Sequence, residues 1–455
     1  MSNLTRSINR LALFFAFVLF FTVAINRPSH AQTISQKTKT YEFTNGNWFD
    51  GRGFKRRVFY SIDGFLTNKT PAKVDETIDL KNRFVIPPFA DAHTHNLDGL
   101  RDLDRISQAY LNEGTFYVQV LANHASGAKL AKPLLNKPST LDVSYANGML
   151  TCTYGHPFMV YEPLAMGIYN YPEAFRRVEE IKKSRLVEND AYWFLDTKAD
   201  VDAKWKKILA AKPDIIKIAL LDAENYAKYV AVGDTLNKGL SPEVAEYVVQ
   251  KAHRAGLRVY AHIETASDFR LGLKIGIDGF AHAPYYGWNG KPESKPRDDL
   301  TVKDIKIAAR KNIVVIPTAQ RSTYSATDYA ADGKGILNRE RFQRIVERQR
   351  KLFNALNKNG VRLAFGLDDY GKTLSPEIWY FHDNKIFDNR TLLKLAVETT
   401  AQTIFPNRKI GRLREGYEAS FLVLNGNPLE DFSRVKNIEL RFKQGLFINV
   451  GEKKP

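Results

Sequence analysis

Short apolar runs recur along the chain, ending near Ala92, Leu121, Thr153, Leu220, Ile263, His282, Thr318 and Leu367, and most are followed by a stretch of helical period. These eight strand-then-helix units predict an α/β fold, a TIM-type (β/α)8 barrel over residues 89–409. One helix carries full punctuation: Ser241 to cap it, Pro242 in its first turn, Val244, Val248, Val249 and Ala252 along one face, and Gly256 before the apolar run 257–263. Thr301 opens a similar helix ahead of Ile313-Val314-Val315-Ile316-Pro317. The segment 320–350, rich in Tyr, Asp, Gly and Arg, is long for a barrel loop and predicts a lid with a helix of its own.

The flanks have a different period. From Tyr41 to Val85, short β segments are broken by turns such as Asn45-Gly46-Asn47 and Asp50-Gly51-Arg52-Gly53. From Gly411 the same character returns, with Ala419-Ser420-Phe421-Leu422-Val423-Leu424 and Ile438-Glu439-Leu440-Arg441-Phe442. Neither end has enough apolar residues to close a core alone, so a small β-sandwich domain formed by both ends is expected, from residues 32–88 and 410–455.

Residues 1–31 read as a signal peptide: Arg6 and Arg10 precede an apolar run from Leu11 to Ala24, and Ser29-His30-Ala31 offers a cleavage point. Export to the periplasm or the medium is expected, with no stable membrane span after removal, because the run is short of the roughly 20 residues a bilayer needs. An uncleaved anchor is the competing reading. The net charge of +17 becomes +14 when the three arginines of residues 1–31 are removed with no acid. The basic residues are scattered, without a tract of stacking aromatics, which argues for a solvated surface and against a nucleic-acid partner. Cys152 is the one cysteine, so any metal must be held by imidazole and oxygen. The expected partner is a small-molecule substrate, and assembly into a homo-oligomer is left open.

The first barrel run leads into His93-Thr94-His95, and alternation along an extended chain puts both imidazoles on one side. His262 ends the fifth run, His282 the sixth, and Asp368 follows the eighth, so four of the nine histidines sit at strand ends. Imidazoles fixed in this way suit a divalent metal. Lys217 lies inside the apolar fourth run, where an ammonium is costly to bury. It either reaches the rim and pairs with a carboxylate, or its amine is carbamylated by carbon dioxide and becomes a ligand.

An HxH on strand one, Lys on strand four, His on strands five and six and Asp on strand eight resembles the pattern of the binuclear amidohydrolase superfamily. The segment 238–283, KGLSPEVAEYVVQKAHRAGLRVYAHIETASDFRLGLKIGIDGFAHA, and the tail KIGRLREGYEASFLVLNGNPLEDF resemble the imidazolonepropionase-like and Xaa-Pro dipeptidase-like members. The resemblance implies two divalent metal ions, zinc by expectation: His93, His95 and Asp368 on one, His262 and His282 on the other, and a CO2-derived carbamate on Lys217 bridging them. It implies attack by a metal-bridging hydroxide, with Asp368 as the catalytic acid and base.

One departure qualifies it: Pro87-Pro88 stands where the family usually has Pro-Gly. Glu264 lies two residues past His262, where a deaminase would place its glutamate three past, at Thr265, and that spacing disfavours deamination. Gly366-Leu367-Asp368 matches the family's Gly-x-Asp, which selects Asp368 over Asp369. His156, in a Gly-His segment after the third run, is a candidate for substrate binding, and Arg321, Tyr324 and Tyr329 are candidates for a substrate carboxylate or ring. His124, His253 and His382 are read as structural. The expected activity is hydrolysis of the amide of a small substrate, a dipeptide or an N-acyl amino acid. The alternatives are a cyclic amidase, lactonase or phosphotriesterase on the same ligands, a mononuclear enzyme, or a non-catalytic barrel that binds.

Overall fold

The computed structural model describes residues 39–294, 299–329 and 334–450; the signal peptide read in residues 1–31 lies outside them. Both ends of the described chain meet in one eight-stranded mixed sheet. Phe84–Ile86 is the joint: it runs parallel to Tyr41–Phe49, with Trp48 beside Val85, and antiparallel to Phe421–Leu424, with Val423 beside Val85. Alternation along these strands buries Phe43, Trp48, Phe59, Val85, Phe421 and Phe442 in one core that neither end could fill by itself. Phe43 meets Phe421 edge-on at 5.0 Å between ring centres.

The middle of the chain is the expected parallel barrel. Phe89–Thr94, Thr115–Val120 and Asp142–Tyr145 form one parallel sheet. Met149–Thr151, Ile216–Ala219, Val259–His262, Gly279–Ala281, Val314–Ile316 and Arg362–Leu363 continue in order in a second. Main-chain bonds join the two: Asp214 N donates to Tyr145 O at 2.8 Å, and at the other seam Ala92 N donates to Phe365 O, also at 2.8 Å. The third apolar run is split into two strands by Asn147 and Gly148, both at positive φ. Tyr192–Phe194, which the apolar runs did not suggest, adds beside Met149–Thr151 as an extra strand.

The helix Pro242–Arg254 forms as its punctuation dictates. Ser241 accepts from Val244 N, and Val244, Ala245, Val248, Val249 and Ala252 are buried. Thr301 and Asp304 make a reciprocal capping box on Val302–Arg310. The segment expected to be a lid is built differently. After a short hairpin of Thr327–Tyr329 with Gly335–Leu337, it becomes the long helix Arg339–Lys358, whose Ile345, Val346, Leu352, Phe353 and Leu356 are buried, so it belongs to the barrel's outer shell. Among the described residues, no helix is long and apolar enough to cross a membrane.

A buried charge cluster ties the end sheet to the barrel. Lys443 Nζ, with its side chain fully buried, donates to Asp142 Oδ1 and to Lys137 O, each at 2.7 Å. Arg408 Nη2 stands 2.8 Å from Asp142 Oδ2 as an ion pair. Removing one member of such a cluster strands the others without water. Lys443→Met should therefore cost about 2–3 kcal/mol in urea unfolding, and adding Asp142→Asn should return part of that loss.

Candidate active site

The strand ends of the barrel point into one cavity of about 460 Å³ lined by His93, His95, Lys217, His262, His282 and Asp368. His93, Lys217 and His282 are each 1% exposed, and Asp368 is 8% exposed. The last strand reaches the first because residue 366 is glycine: a Cβ there would stand 2.6 Å from His93 N and Cβ. Asp368 N then donates to His93 O at 2.8 Å, which sets the carboxylate against the histidines.

Asp368 is the hub. Its Oδ1 lies 2.8 Å from His95 Nε2 and 3.2 Å from His93 Nε2, and its Oδ2 accepts from the Tyr286 hydroxyl at 2.6 Å. Burial alone would raise the Asp368 carboxyl, but His93, His95 and His282 hold it well below the usual carboxylate range. Burial pushes the His93 imidazole down to about 3 and holds His262 and His282 well below their ordinary value, so these rings stay neutral, as metal ligation requires. His282 Nδ1 lies 2.7 Å from Thr318 Oγ1, which leaves Nε2 facing His262 Nδ1 at 3.1 Å.

Ligand atoms of His93, His282 and Asp368 all come within 4.8 Å of one another, the one such cluster among the described residues. This corrects the expectation of two zinc ions bridged by a carbamate on Lys217. The convergent set takes His93 and Asp368 from one expected half-site and His282 from the other, and no lysine belongs to it. His95, with Nδ1 3.0 Å from Ala122 O and Nε2 2.8 Å from Asp368 Oδ1, and His262, paired to His282, fall outside that set. Lys217 Nζ is buried with no hydrogen-bond partner, and burial pushes it down to about 7.

Several contributors were not visible in the sequence pattern. Tyr286 lies in the loop after the sixth strand, and nothing in its spacing marks it. Glu377, fully buried at the start of the helix Ser375–Asp383, accepts from Ala319 N at 2.8 Å and Gln320 N at 2.7 Å, holding the turn that presents Thr318 to His282. Asp91 accepts from His93 N at 3.1 Å and from the Tyr110 hydroxyl at 2.9 Å. Of the weaker candidates, His156 packs its ring 4.3 Å from that of His262 at the cavity wall. Arg321 Nε lies 3.9 Å from Asp368 Oδ2, and Tyr324 bonds to Asp369 and Lys372. The Tyr329 side chain lies outside the described residues. His124, His253 and His382 pair with Asp190, Asp278 and Asp383, away from the cavity.

Residues 84–446 match the family described as Amidohydrolase family. The chain belongs to the amidohydrolase family. This amidohydrolase is 24% identical over 195 residues to the ochratoxinase of Aspergillus niger, a match covering 42% of this chain and 37% of that one, so it spans little more than a third of the curated relative. Among solved structures, that ochratoxinase superposes with a TM-score of 0.67 at 17% identity, over 91% of this chain and 97% of that one. A Xaa-Pro dipeptidase with bound methionine superposes at 0.64 and 19%, over 90% and 100%. A putative prolidase from Bifidobacterium longum superposes at 0.65 and 17%, over 92% and 97%. These likenesses show a shared fold.

The donor set of this amidohydrolase fits a metal on its own evidence. His93 Nδ1 and His262 Nε2 are buried and lack hydrogen-bond partners, and a buried polar atom left bare is costly. His93, His282 and Asp368 would hold a divalent cation.

Lys217 generates a prediction for the metal-free protein. Its folded-state value near 7 lies below the 10.5 of the free side chain. Unfolding therefore takes up a proton between those pH values; the penalty for burying the ammonium is complete below about 7 and fades as pH rises towards 10.5. Lys217→Met should stabilise the metal-free chain by ~2–4 kcal/mol at pH 6.5, and the gain should shrink steadily by pH 10. Urea unfolding of both proteins across that range checks it, and a gap independent of pH would refute the assignment.

Proposed function

We propose that the protein hydrolyses the amide bond of a small substrate that carries a carboxylate on its amine side, a dipeptide or an N-acyl amino acid. The observation that carries this reading is the guanidinium of Arg321, placed 3.9 Å from Asp368 Oδ2 at the wall of the cavity. A fork of N–H donors there suits a carboxylate next to the bond being cut.

His93, His282 and Asp368 would hold a divalent cation, zinc by expectation, which would supply Lewis acidity and make water a better nucleophile. The chain's own groups do the rest. Asp368, kept ionised by its histidines, accepts the proton of the attacking water. The Tyr286 hydroxyl, donating to Oδ2, holds that carboxylate in orientation. As oxygen adds to the carbonyl carbon and the C–N bond breaks, Asp368 passes the same proton to the leaving nitrogen, releasing an acid and an amine. Arg321 holds the carboxylate of the leaving amine beside Asp368, which shortens that transfer. Tyr161, Tyr171 and Tyr370 with Leu121, Met149 and Val160 supply an apolar wall for a side chain. The likeness in fold to dipeptidase and prolidase structures supports the reading. The charged and apolar run of residues 1–31 supports export as the setting.

Turnover of dipeptides, N-acyl amino acids, cyclic amides and lactones by metal-loaded protein tests the reading, and lactones cleaved in preference to every amide would overturn it. Arg321→Met should lower kcat/KM for a carboxylate substrate relative to its carboxamide analogue by about 10–100-fold, chiefly through KM. Equal loss on both analogues would remove Arg321 from carboxylate recognition.

A further inference from the structure

Glu264 follows the strand Val259–His262 and lines the same cavity as the metal ligands. Its main chain is held, with Glu264 O accepting from Tyr285 N at 2.8 Å. Its carboxylate is not. Among the described residues, its one neighbour at ion-pair range is His262, a neutral ring whose Nε2 stands 3.9 Å from Oε1, beyond hydrogen-bond distance. Lys238 lies within its field, but Lys238 Nζ sits over the Tyr229 ring at 4.0 Å. Burial raises the Glu264 carboxyl above its ordinary value, which is the sign of a negative charge short of partners. The side chain is 45% exposed, an acid enclosed by protein yet reachable from the cavity. Tyr171, on the same wall, feels both Glu264 and Arg321, so two opposite charges lie within reach of one ring.

We propose that Glu264 binds the α-ammonium of the substrate's acyl half, so that the site takes unblocked dipeptides in preference to N-acyl amino acids. The proposal rests on the amide-hydrolase reading and narrows it. With Arg321 beside Asp368 holding the carboxylate of the leaving half, the acyl half extends towards His262 and Glu264. An α-ammonium is two bonds from the carbonyl carbon, close enough for a carboxylate beside His262, in the cavity that the ligands line, to meet it. A neutral acetamide at that position would leave the Glu264 charge without a partner, which is a penalty against blocked substrates. A lysine or arginine side chain on the acyl half offers the same cationic chemistry from a different atom.

The experiment uses three probes, Ala-Phe, N-acetyl-Ala-Phe and N-acetyl-Lys-Phe. Hydrolysis by the metal-loaded protein is measured alongside calorimetric binding to the metal-free protein, for the natural chain, Glu264→Gln and Glu264→Asp. The natural chain should favour Ala-Phe over N-acetyl-Ala-Phe by about 10–100-fold in kcat/KM and in binding. Glu264→Gln should collapse that ratio towards one, and Glu264→Asp, which keeps the charge, should retain part of it. A ratio that survives Glu264→Gln, or that is absent from the natural chain, overturns the proposal while leaving amide hydrolysis standing. Selective binding without cleavage of any probe would sink the amide reading and leave the ammonium subsite intact. Preference for N-acetyl-Lys-Phe that depends on Glu264, with none for Ala-Phe, would overturn the assignment to the α-ammonium.

Discussion

The seam between the eighth and first barrel strands governs the site. Asp368 N bonds to His93 O and Ala92 N to Phe365 O, and only a glycine at position 366 lets the two chains approach this closely. Were that seam to open by a register step, Asp368 would face away from His93 and His95 and the ligand cluster would lose its carboxylate. The barrel therefore supplies more than a scaffold. Its last closure is the event that brings the carboxylate to the imidazoles.

That closure forces polar groups into a volume with little water. Lys217 Nζ, His93 Nδ1 and His262 Nε2 are all buried and bare, and each such atom costs free energy that a well-packed apolar core would not. The backbone shows a related cost: His282, Thr318 and Asp368 have φ values of 141°, 48° and 60°, where non-glycine residues are seldom found. Held elements over-determine these positions. Glu377 grips the turn after Thr318 through two main-chain N–H groups, and Asp91 grips His93 N. Stability elsewhere, in the aromatic core of the end sheet and the Asp142–Lys443–Arg408 cluster, offsets what the site spends.

The barrel was legible because its signals are local. Each strand is an apolar run, each helix carries a cap and a face, and the ligands sit where the runs end. The pairing of the chain ends was legible for the same reason, since Phe43, Trp48, Phe421 and Phe442 alternate on strands too poor to close a core separately. What escaped is non-local. The strand Tyr192–Phe194 follows a region of short helices and owes its place to Met149–Thr151. Tyr286 reaches Asp368 across 82 positions, and Glu377 reaches Ala319 across 58; no periodicity reports such contacts. The expected two-metal partition failed for a like reason, because the ends of strands say which side chains enter a cavity but not which atoms meet there. The segment after the seventh strand looked like a lid from composition, while its heptad-like burial of Ile345, Leu352 and Phe353 made it part of the shell.

Charge orders the cavity once the ligands are placed. The neutral imidazoles of His93, His262 and His282 share the cavity with a carboxylate that stays ionised, so the centre is ready for a cation. Around it, one arginine and one glutamate line the same wall without direct contact to each other in any ion pair among the described residues. Had Arg321 and Glu264 been paired, each would have satisfied the other and the cavity would be electrostatically closed. Kept apart, they leave two opposite charges on one cavity, and on the proposed reading a substrate that carries both charges would gain from each. A neutral ring fills the same volume but gains from neither, which on that reading is how a cavity with four tyrosines in its wall would discriminate by charge.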